Sequence, residues 1–305
     1  MLNNPNITKT HRGIYGIIQK ENQLLVIKKA RGPYKGLYDL PGGSPEALET
    51  SEETLVREIS EETSLKVKKY ALLKEMRVIF SDFTKASCEK GTLAHTGVLF
   101  NVTDWEGDIL TTSDGLDSLG AQWVDMDSLT SQNATPFALI AAGKELIHVA
   151  DKTDTIISTH VRGNPLSVGR YIMIAGVMVY NHKGEVLLHK IASHKKWGGM
   201  WTYSAAGHVD AGENYKKAAQ RELKEELGLS AAVGEELTSF DVYENGKKIA
   251  FHHIFKAVSD EPVLYDTNEI EEVRFFSIEE LKHLSQQVPD QFFKGLLKLI
   301  KENKL

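Results

Sequence analysis

Cysteine is nearly absent. Cys88 stands alone in 305 residues, so no disulfide can form within the chain, a usage that fits a reducing cytosol. No motif surrounds Cys88, which reads as an ordinary loop or strand residue rather than a nucleophile. An excess of positive charge is also missing. The 36 Lys and Arg against 42 Asp and Glu give a formal net charge of −6, which argues against a surface built to wrap nucleic acid. A small phosphorylated ligand is still allowed, because metal ions can supply positive charge locally. No apolar run reaches the ~20 residues needed to cross a bilayer, and the polar residues 1–12 lack the apolar segment of a signal peptide. The expectation is a cytoplasmic protein with no membrane partner. Charged (26%) and hydrophobic (41%) fractions are ordinary for a globular protein, so long disorder is not expected. The length suits two domains, each able to bury a core.

What the chain does have is an internal repeat. Arg57-Glu58-Ile59-Ser60-Glu61-Glu62 returns as Arg221-Glu222-Leu223-Lys224-Glu225-Glu226, an offset of 164 residues that also carries Gly43 to Gly207 and Glu49 to Glu213. Upstream, residues 16–30 read like residues 176–192, with Gly16 matched to Gly176. Each is a pair of apolar runs around a polar turn, the mark of a hairpin, and the second copy has the longer turn. Downstream, residues 96–102 and 251–258 are strand-like, and the aromatic runs 121–125 and 272–276 each precede an acidic turn and a helix. Gly163, Asn164, Pro165 and Gly169 punctuate a linker between about residues 150 and 170, which sets the domains at 1–160 and 161–305. Phe293, Leu296, Leu297 and Ile300 have the spacing of an amphipathic helix that closes the second domain.

The repeated segment carries chemistry. Glu58, Glu61 and Glu62 sit at i, i+3 and i+4, within about a 100° arc of a helix, and so do Glu222, Glu225 and Glu226. Like charges at that spacing repel by a few tenths of a kcal/mol per pair, and a hard cation with oxygen ligands turns the repulsion into a site. The opposite face is apolar: Leu55 and Ile59 in one copy, Ala219, Leu223 and Leu227 in the other. Thr50 and Glu53 match a capping box, and Asn214 can cap the second helix. The small residues before each helix, Pro41-Gly42-Gly43 and Ala205-Ala206-Gly207, let backbone come close to an ion or phosphate, and a carbonyl of Gly42 or Ala206 is a candidate ligand. A single glutamate-rich helix is usually just a solvated face; the recurrence of loop glycine, spacer, distant glutamate and helix together makes that reading poor.

These residues resemble the Nudix box, G-x5-E-x7-R-E-U-x-E-E-x-G-U, where U is a bulky apolar residue. Residues 207–229 fit every specified position, and residues 43–65 fit all but one, Ser64 standing for glycine. Serine there costs about 1 kcal/mol if the backbone is left-handed, yet it removes no ligand. The resemblance implies an α/β fold, two tandem Nudix folds, each an α/β/α sandwich around a mixed sheet. It further implies a hydrolase that cleaves the diphosphate linkage of a small nucleoside diphosphate derivative with Mg²⁺ or Mn²⁺. By motif position Glu58, Glu61, Glu62, Glu222, Glu225 and Glu226 would be the ligands, one of each set also serving as base. Arg57 and Arg221 would orient carboxylates, with Glu49 and Glu213 as their partners. A further acid is implied outside each box, with Glu89 and Glu244 as the guesses.

Residues 201–208 of the second copy also resemble the isopentenyl diphosphate isomerases of the same fold. Those enzymes carry a catalytic cysteine where this chain has Ala206, and His208 can touch metal or phosphate, or simply be a hydrogen-bonded loop residue. Three alternatives to two working hydrolase sites stay open: one copy as a nucleotide-sensing module, an isoprenoid diphosphate isomerase (disfavoured by Ala206), and hydrolysis of RNA 5′ ends, which the acidic balance does not support. Between the halves, the complete second box, with no proline like Pro45 in its loop, is expected to be the more dependable catalyst. Substrate identity and oligomeric state are not written in the sequence.

Overall fold

The first apolar run, broken by the polar pair Glu21-Asn22, folds as the antiparallel hairpin β1 (Lys9–Lys20) and β2 (Gln23–Lys29). The computed structural model describes residues 7–84, 90–113, 115 and 117–305. The chain divides into two compact units: one takes the residues up to Asp151 together with Thr155–Leu166, the other Lys152–Asp154 and Ser167–Leu305. Cys88 and Glu89 lie outside the described residues.

The first unit continues with the short β3 (Tyr38–Asp39) and β4 (Gly42–Gly43), then α1 (Ser51–Thr63), β5 (Lys66–Thr84), β6 (Lys90–Glu106), β7 (Ser118–Asp125), α2 (Pro136–Ala141), β8 (Leu146–Ala150) and β9 (Ile156–Val161). Its sheet runs β3-β2-β1-β6-β5, with β4 on β1 and β7 on β2. The β1–β6 pair is parallel and the others are antiparallel, so the sheet is mixed. Alternation in β1 sends Ile14 and Ile18 to one face, where they form a core with Leu25, Ile27 and the apolar stripe of α1, Leu55 and Ile59. Each such buried side chain stabilises by about 1.5–3 kcal/mol relative to exposure. Tyr15 points to the opposite face and stacks on Phe137 of α2, centroids 5.3 Å apart. Helices on both faces of a mixed sheet make three layers.

The second unit repeats the plan with β10 (Tyr171–Tyr180), β11 (Val186–Ile191), β12 (Trp201–Thr202), β13 (Ala205–His208), α3 (Tyr215–Leu227), β14 (Glu236–Glu244), β15 (Lys247–Val258), β16 (Ile270–Phe276), α4 (Ile278–Gln287) and α5 (Lys294–Lys301). The strand order β12-β11-β10-β15-β14, with β13 on β10 and β16 on β11, matches the first unit, and β10–β15 is again the parallel pair. α3 buries Ala218, Ala219, Leu223 and Leu227. On the other face Met178, Tyr203, Ile254 and Phe276 pack with Leu281 of α4 and Leu296, Leu299 and Ile300 of α5, the expected closing helix.

Both box helices are capped as their sequences suggest. Thr50 accepts from the Glu53 amide while Glu53 returns to the Thr50 amide, and Asn214 accepts from the Lys217 amide. Both end in a left-handed residue, Ser64 at φ 62° and Gly228 at φ 66°.

Two sequence expectations change. Residues 156–161, placed in the linker, form a strand paired with β8 inside the first unit; the glycines and proline that suggested a linker follow it. Gly16 and Gly176, matched in the repeat, are not equivalent. Opposite Gly42 stands Tyr15, and opposite Ala206 stands Gly176. Gly16 therefore faces α1, where a Cβ would stand 2.5 Å from Ile59, while Gly176 faces the other layer, against Ile254 and Tyr203. A one-residue shift in a strand exchanges its faces.

Candidate functional site

Each glutamate helix is organised by its arginine. Arg57 grips Glu49 with two parallel bonds, Nε to Oε1 at 2.7 Å and Nη2 to Oε2 at 2.9 Å. Its Nη1 reaches Glu58 at 3.0 Å and Glu61 at 3.1 Å, and Nη2 also donates to the Ser44 carbonyl. Arg221 repeats the pattern on Glu213 (Nη2 to Oε2, 3.0 Å), Glu222 (2.6 Å), Glu225 (2.9 Å) and the His208 carbonyl (2.9 Å). A planar guanidinium with five donors is suited to such a hub. The Arg57 bonds hold the Glu49 carboxyl well below the usual range, at about 2.

The last glutamate of each set reaches back to the preceding loop, Glu62 buried and Glu226 half-buried. Glu62 Oε2 accepts from the Gly42 amide at 2.8 Å, and Glu226 Oε2 accepts from the Ala206 amide at 3.1 Å. Burial pushes both carboxyls up to about 8. Glu58 and Glu222, largely buried, are raised for the same reason, while Glu61 and Glu225 sit outermost at 58% and 59% side-chain exposure. The loop glycines are needed for space: a Cβ on Gly43 would stand 2.4 Å from Glu58 Oε1, and one on Gly207 1.9 Å from Glu222 Oε1.

Among the described residues no three His, Cys, Asp or Glu side chains already converge as ion ligands. The arginine hubs hold Glu58, Glu61, Glu222 and Glu225, and backbone amides hold Glu62 and Glu226. The donor set still fits a hard divalent cation. It is all oxygen, and the carboxylates of Glu62 and Glu226 carry a desolvation cost that a cation would lift.

The surroundings of the two sets differ. Lys29 Nζ lies 4.0 Å from Glu62 Oε1, and its charge also acts on Glu58 and on Asp39. Asp39 is buried; burial raises its carboxyl to about 6 although Oδ1 accepts from Thr135 Oγ1 (2.6 Å) and the Leu40 amide (3.0 Å). Both residues line a cavity of about 330 Å³ whose wall also has Lys9, His11, Tyr15 and His95. His95 bridges the hydroxyls of Tyr15 (2.8 Å) and Tyr34 (3.1 Å), and burial drives its pKa down to about 2, so it stays neutral. In the second unit the charges acting on Glu226 come from Glu222, Glu269 and Glu225. Glu269 pairs with Lys195, and its carbonyl accepts from the Ala192 amide as the Asp117 carbonyl accepts from Ala30.

The structure thus brings together Glu49, Arg57, Glu58, Glu61, Glu62, Gly42 and Gly43 in one unit, and Glu213, Arg221, Glu222, Glu225, Glu226, Ala206, Gly207 and the His208 backbone in the other. It does not bring Glu244 to this group: that residue ends β14 at a hairpin tip, 3.9 Å from Lys196. Sequence reasoning missed Lys29, Asp39 and Glu269. Asp39 was findable as an acid inside the apolar stretch before the loop; Glu269 and Lys29 become visible only once β2 and β11 are paired with their neighbours.

Comparison with known proteins agrees with this duplication. The model of the NUDIX domain matches residues 8–142 and again 170–296. An uncharacterised Nudix hydrolase of Listeria innocua is 32% identical over 145 residues, 46% of this chain and 86% of that protein. An isopentenyl-diphosphate Delta-isomerase of Photorhabdus laumondii is 26% identical over 161 residues, 51% of this chain and 90% of its own. An ADP-ribose pyrophosphatase of Methanocaldococcus jannaschii is 53% identical over 58 residues, 19% of this chain and 34% of that one.

Proposed function

The chain belongs to the Nudix hydrolase family in both of its halves, and on that premise we propose that it cleaves the diphosphate linkage of a small nucleoside diphosphate derivative. One observation carries the reading: the same arginine hub, and the same loop amide bonded to the last glutamate, are built twice, Arg57-Gly42-Glu62 and Arg221-Ala206-Glu226. Glu58, Glu61 and Glu62, with Glu222, Glu225 and Glu226, would hold Mg²⁺ or Mn²⁺, helped by the carbonyls of Gly42 and Ala206. The bound ion would neutralise the diphosphate and acidify the attacking water. Arg57 and Arg221 hold Glu58, Glu61, Glu222 and Glu225 in place. Glu62 and Glu226 have Oε2 committed to a backbone amide, so Oε1 is the atom left to take a proton. Glu269 is our candidate for the additional acid of the second half, since its charge acts on Glu226.

Isomerisation is disfavoured because position 206 offers a methyl group with no proton to give or take. The chain should not convert isopentenyl to dimethylallyl diphosphate, and allylic product above a no-enzyme control would overturn this. The main test is a panel of nucleoside diphosphate derivatives with Mg²⁺, Mn²⁺ or excess chelator. Hydrolysis should require the ion; full activity in chelator would sink the mechanism. Glu226→Gln should lower the rate a hundredfold or more, roughly 3 kcal/mol in barrier, on any substrate handled by the second half alone. Where both halves work, each of Glu226→Gln and Glu62→Gln should leave partial activity and the double variant almost none. Undiminished activity of Glu226→Gln on every substrate would assign catalysis to the first half.

A further inference from the structure

The two carboxylate sets are built from the same residues, but among the described residues a lysine stands beside only one of them. Strand register identifies its counterpart. Ile27 pairs with Asp39 as His189 pairs with Thr202, and Leu24 pairs with Val124 as Val186 pairs with Phe276. Past a bulge in both strands, Lys29 pairs with Ser118 and Ile191 with Ile270. The position of Lys29 in the first unit is therefore that of Ile191 in the second. Lys29 Nζ stands 4.0 Å from Glu62 Oε1, with side chains only 15% and 4% exposed, so solvent screens the pair little. Among the described residues no Lys or Arg pairs with Glu226, whose neighbouring charges are acids.

We infer that Lys29 is a positioning residue that serves as a built-in counter-charge for Glu62, weakening the first site's hold on divalent cations so that the second site fills first. The inference rests on the reading that both glutamate helices take Mg²⁺ or Mn²⁺. The ammonium lies 4.0 Å from Glu62 Oε1, and its charge would oppose that of a cation held by the same carboxylate. It also faces the cavity shared with Lys9 and His11. The first half can thus present positive charge to an anionic ligand before any metal is bound, whereas the second half, with Ile191 at this position, draws its charge from the metal.

The test is Mn²⁺ binding to the full chain without substrate, read from the paramagnetic resonance signal of free Mn²⁺. The native protein should show two classes of site, the weaker removed by Glu62→Gln and the tighter by Glu226→Gln. Lys29→Met keeps most of the stem and removes a unit charge 4.0 Å from a ligand oxygen; it should tighten the weaker class by about tenfold or more and leave the tighter class unmoved. Ile191→Lys should weaken the tighter class by a similar factor. An unchanged weak class in Lys29→Met, its fold verified by circular dichroism, would overturn the inference, as would removal of the weaker class by Glu226→Gln. Absence of Mn²⁺ binding at either helix would instead remove the reading on which it rests, and the inference with it.

Discussion

Ser64 and Gly228 close the two box helices in nearly the same conformation, φ 62° and ψ 7° against φ 66° and ψ 6°, each amide bonded to the carbonyl four residues back. Only one of them is glycine, so the pair measures what a Cβ costs in left-handed backbone. Ser64→Gly removes a strain of about 1–2 kcal/mol, and glycine's greater freedom in the unfolded chain takes back about 0.4–1 kcal/mol. The Ser64 side chain is exposed and, among the described residues, its hydroxyl has no hydrogen-bond partner to lose. The first unit should gain a net ~0.5–1 kcal/mol. The reverse change is not its mirror image. A Cβ on Gly228 would stand 3.1 Å from Leu264 Cβ and 3.2 Å from the Leu264 carbonyl oxygen, and Leu264 is tied to the Leu227 carbonyl by its own amide at 3.0 Å. Gly228→Ser should therefore cost the second unit more than Ser64→Gly returns to the first, about 1–2 kcal/mol. Amide exchange read by mass spectrometry separates the units, through peptides of β1 and β6 or of β10 and β15. Ser64→Gly should slow the first set roughly two- to fivefold and leave the second unchanged. Faster exchange in the first unit of Ser64→Gly, or native exchange in the second unit of Gly228→Ser, would refute the reasoning.

The parts of the molecule legible in the sequence are those fixed by local geometry. Three carboxylates on one helical face, an arginine one residue before the first of them, and a capping residue at each start are set by 3.6-residue periodicity alone, and they appear where the spacing puts them. The cavity was not legible because its wall comes from β1, β2, β3 and β6 and from loops, and because a one-residue error in matching β1 to β10 exchanges the faces of the strand. The tyrosines show why such an error is easy to make. In the first unit a ring from β1, Tyr15, bonds His95; in the second, Gly176 vacates that position and Tyr203, two residues before β13, fills the space and bonds His252 at 3.1 Å. A buried phenol needs a partner for its hydroxyl and volume for its ring, and either strand can supply them. The helix carboxylates have no such freedom, since their arginine, loop amide and glycine fix each one. The carboxylate geometry is repeated in both halves while the neighbouring strand positions have diverged, with Lys29 and Asp39 in one half and Ile191 and Thr202 in the other.

Two further outcomes follow from named contacts. Gly207→Ala places a Cβ 1.9 Å from Glu222 Oε1, so the carboxylate must leave Arg221; Mn²⁺ affinity of the second site should fall about tenfold or more, and an unchanged titration would show that Glu222 is not held for an ion. The last concerns His253. Its Nε2 bonds Asp154 Oδ2 at 2.7 Å, its Nδ1 lies 3.2 Å from Glu236 Oε1, and Tyr215, the first residue of α3, stacks on it with centroids 3.7 Å apart while donating to Asp154. With a carboxylate at each ring nitrogen, only the imidazolium satisfies both. Burial pulls its pKa down, but the bonds to Asp154 and Glu236 more than reverse this and leave it above the ordinary 6.5. A folded-state pKa raised above the unfolded one means the folded state binds the extra proton more tightly. The stabilisation is therefore complete below about pH 6.5 and is lost as pH rises through the folded value. Exchange in β10 and β15 should accelerate across that interval, and His253→Gln, less stable at low pH, should flatten the dependence. An equal slope in the native and His253→Gln proteins would mean that the two carboxylates do not hold a proton on this ring.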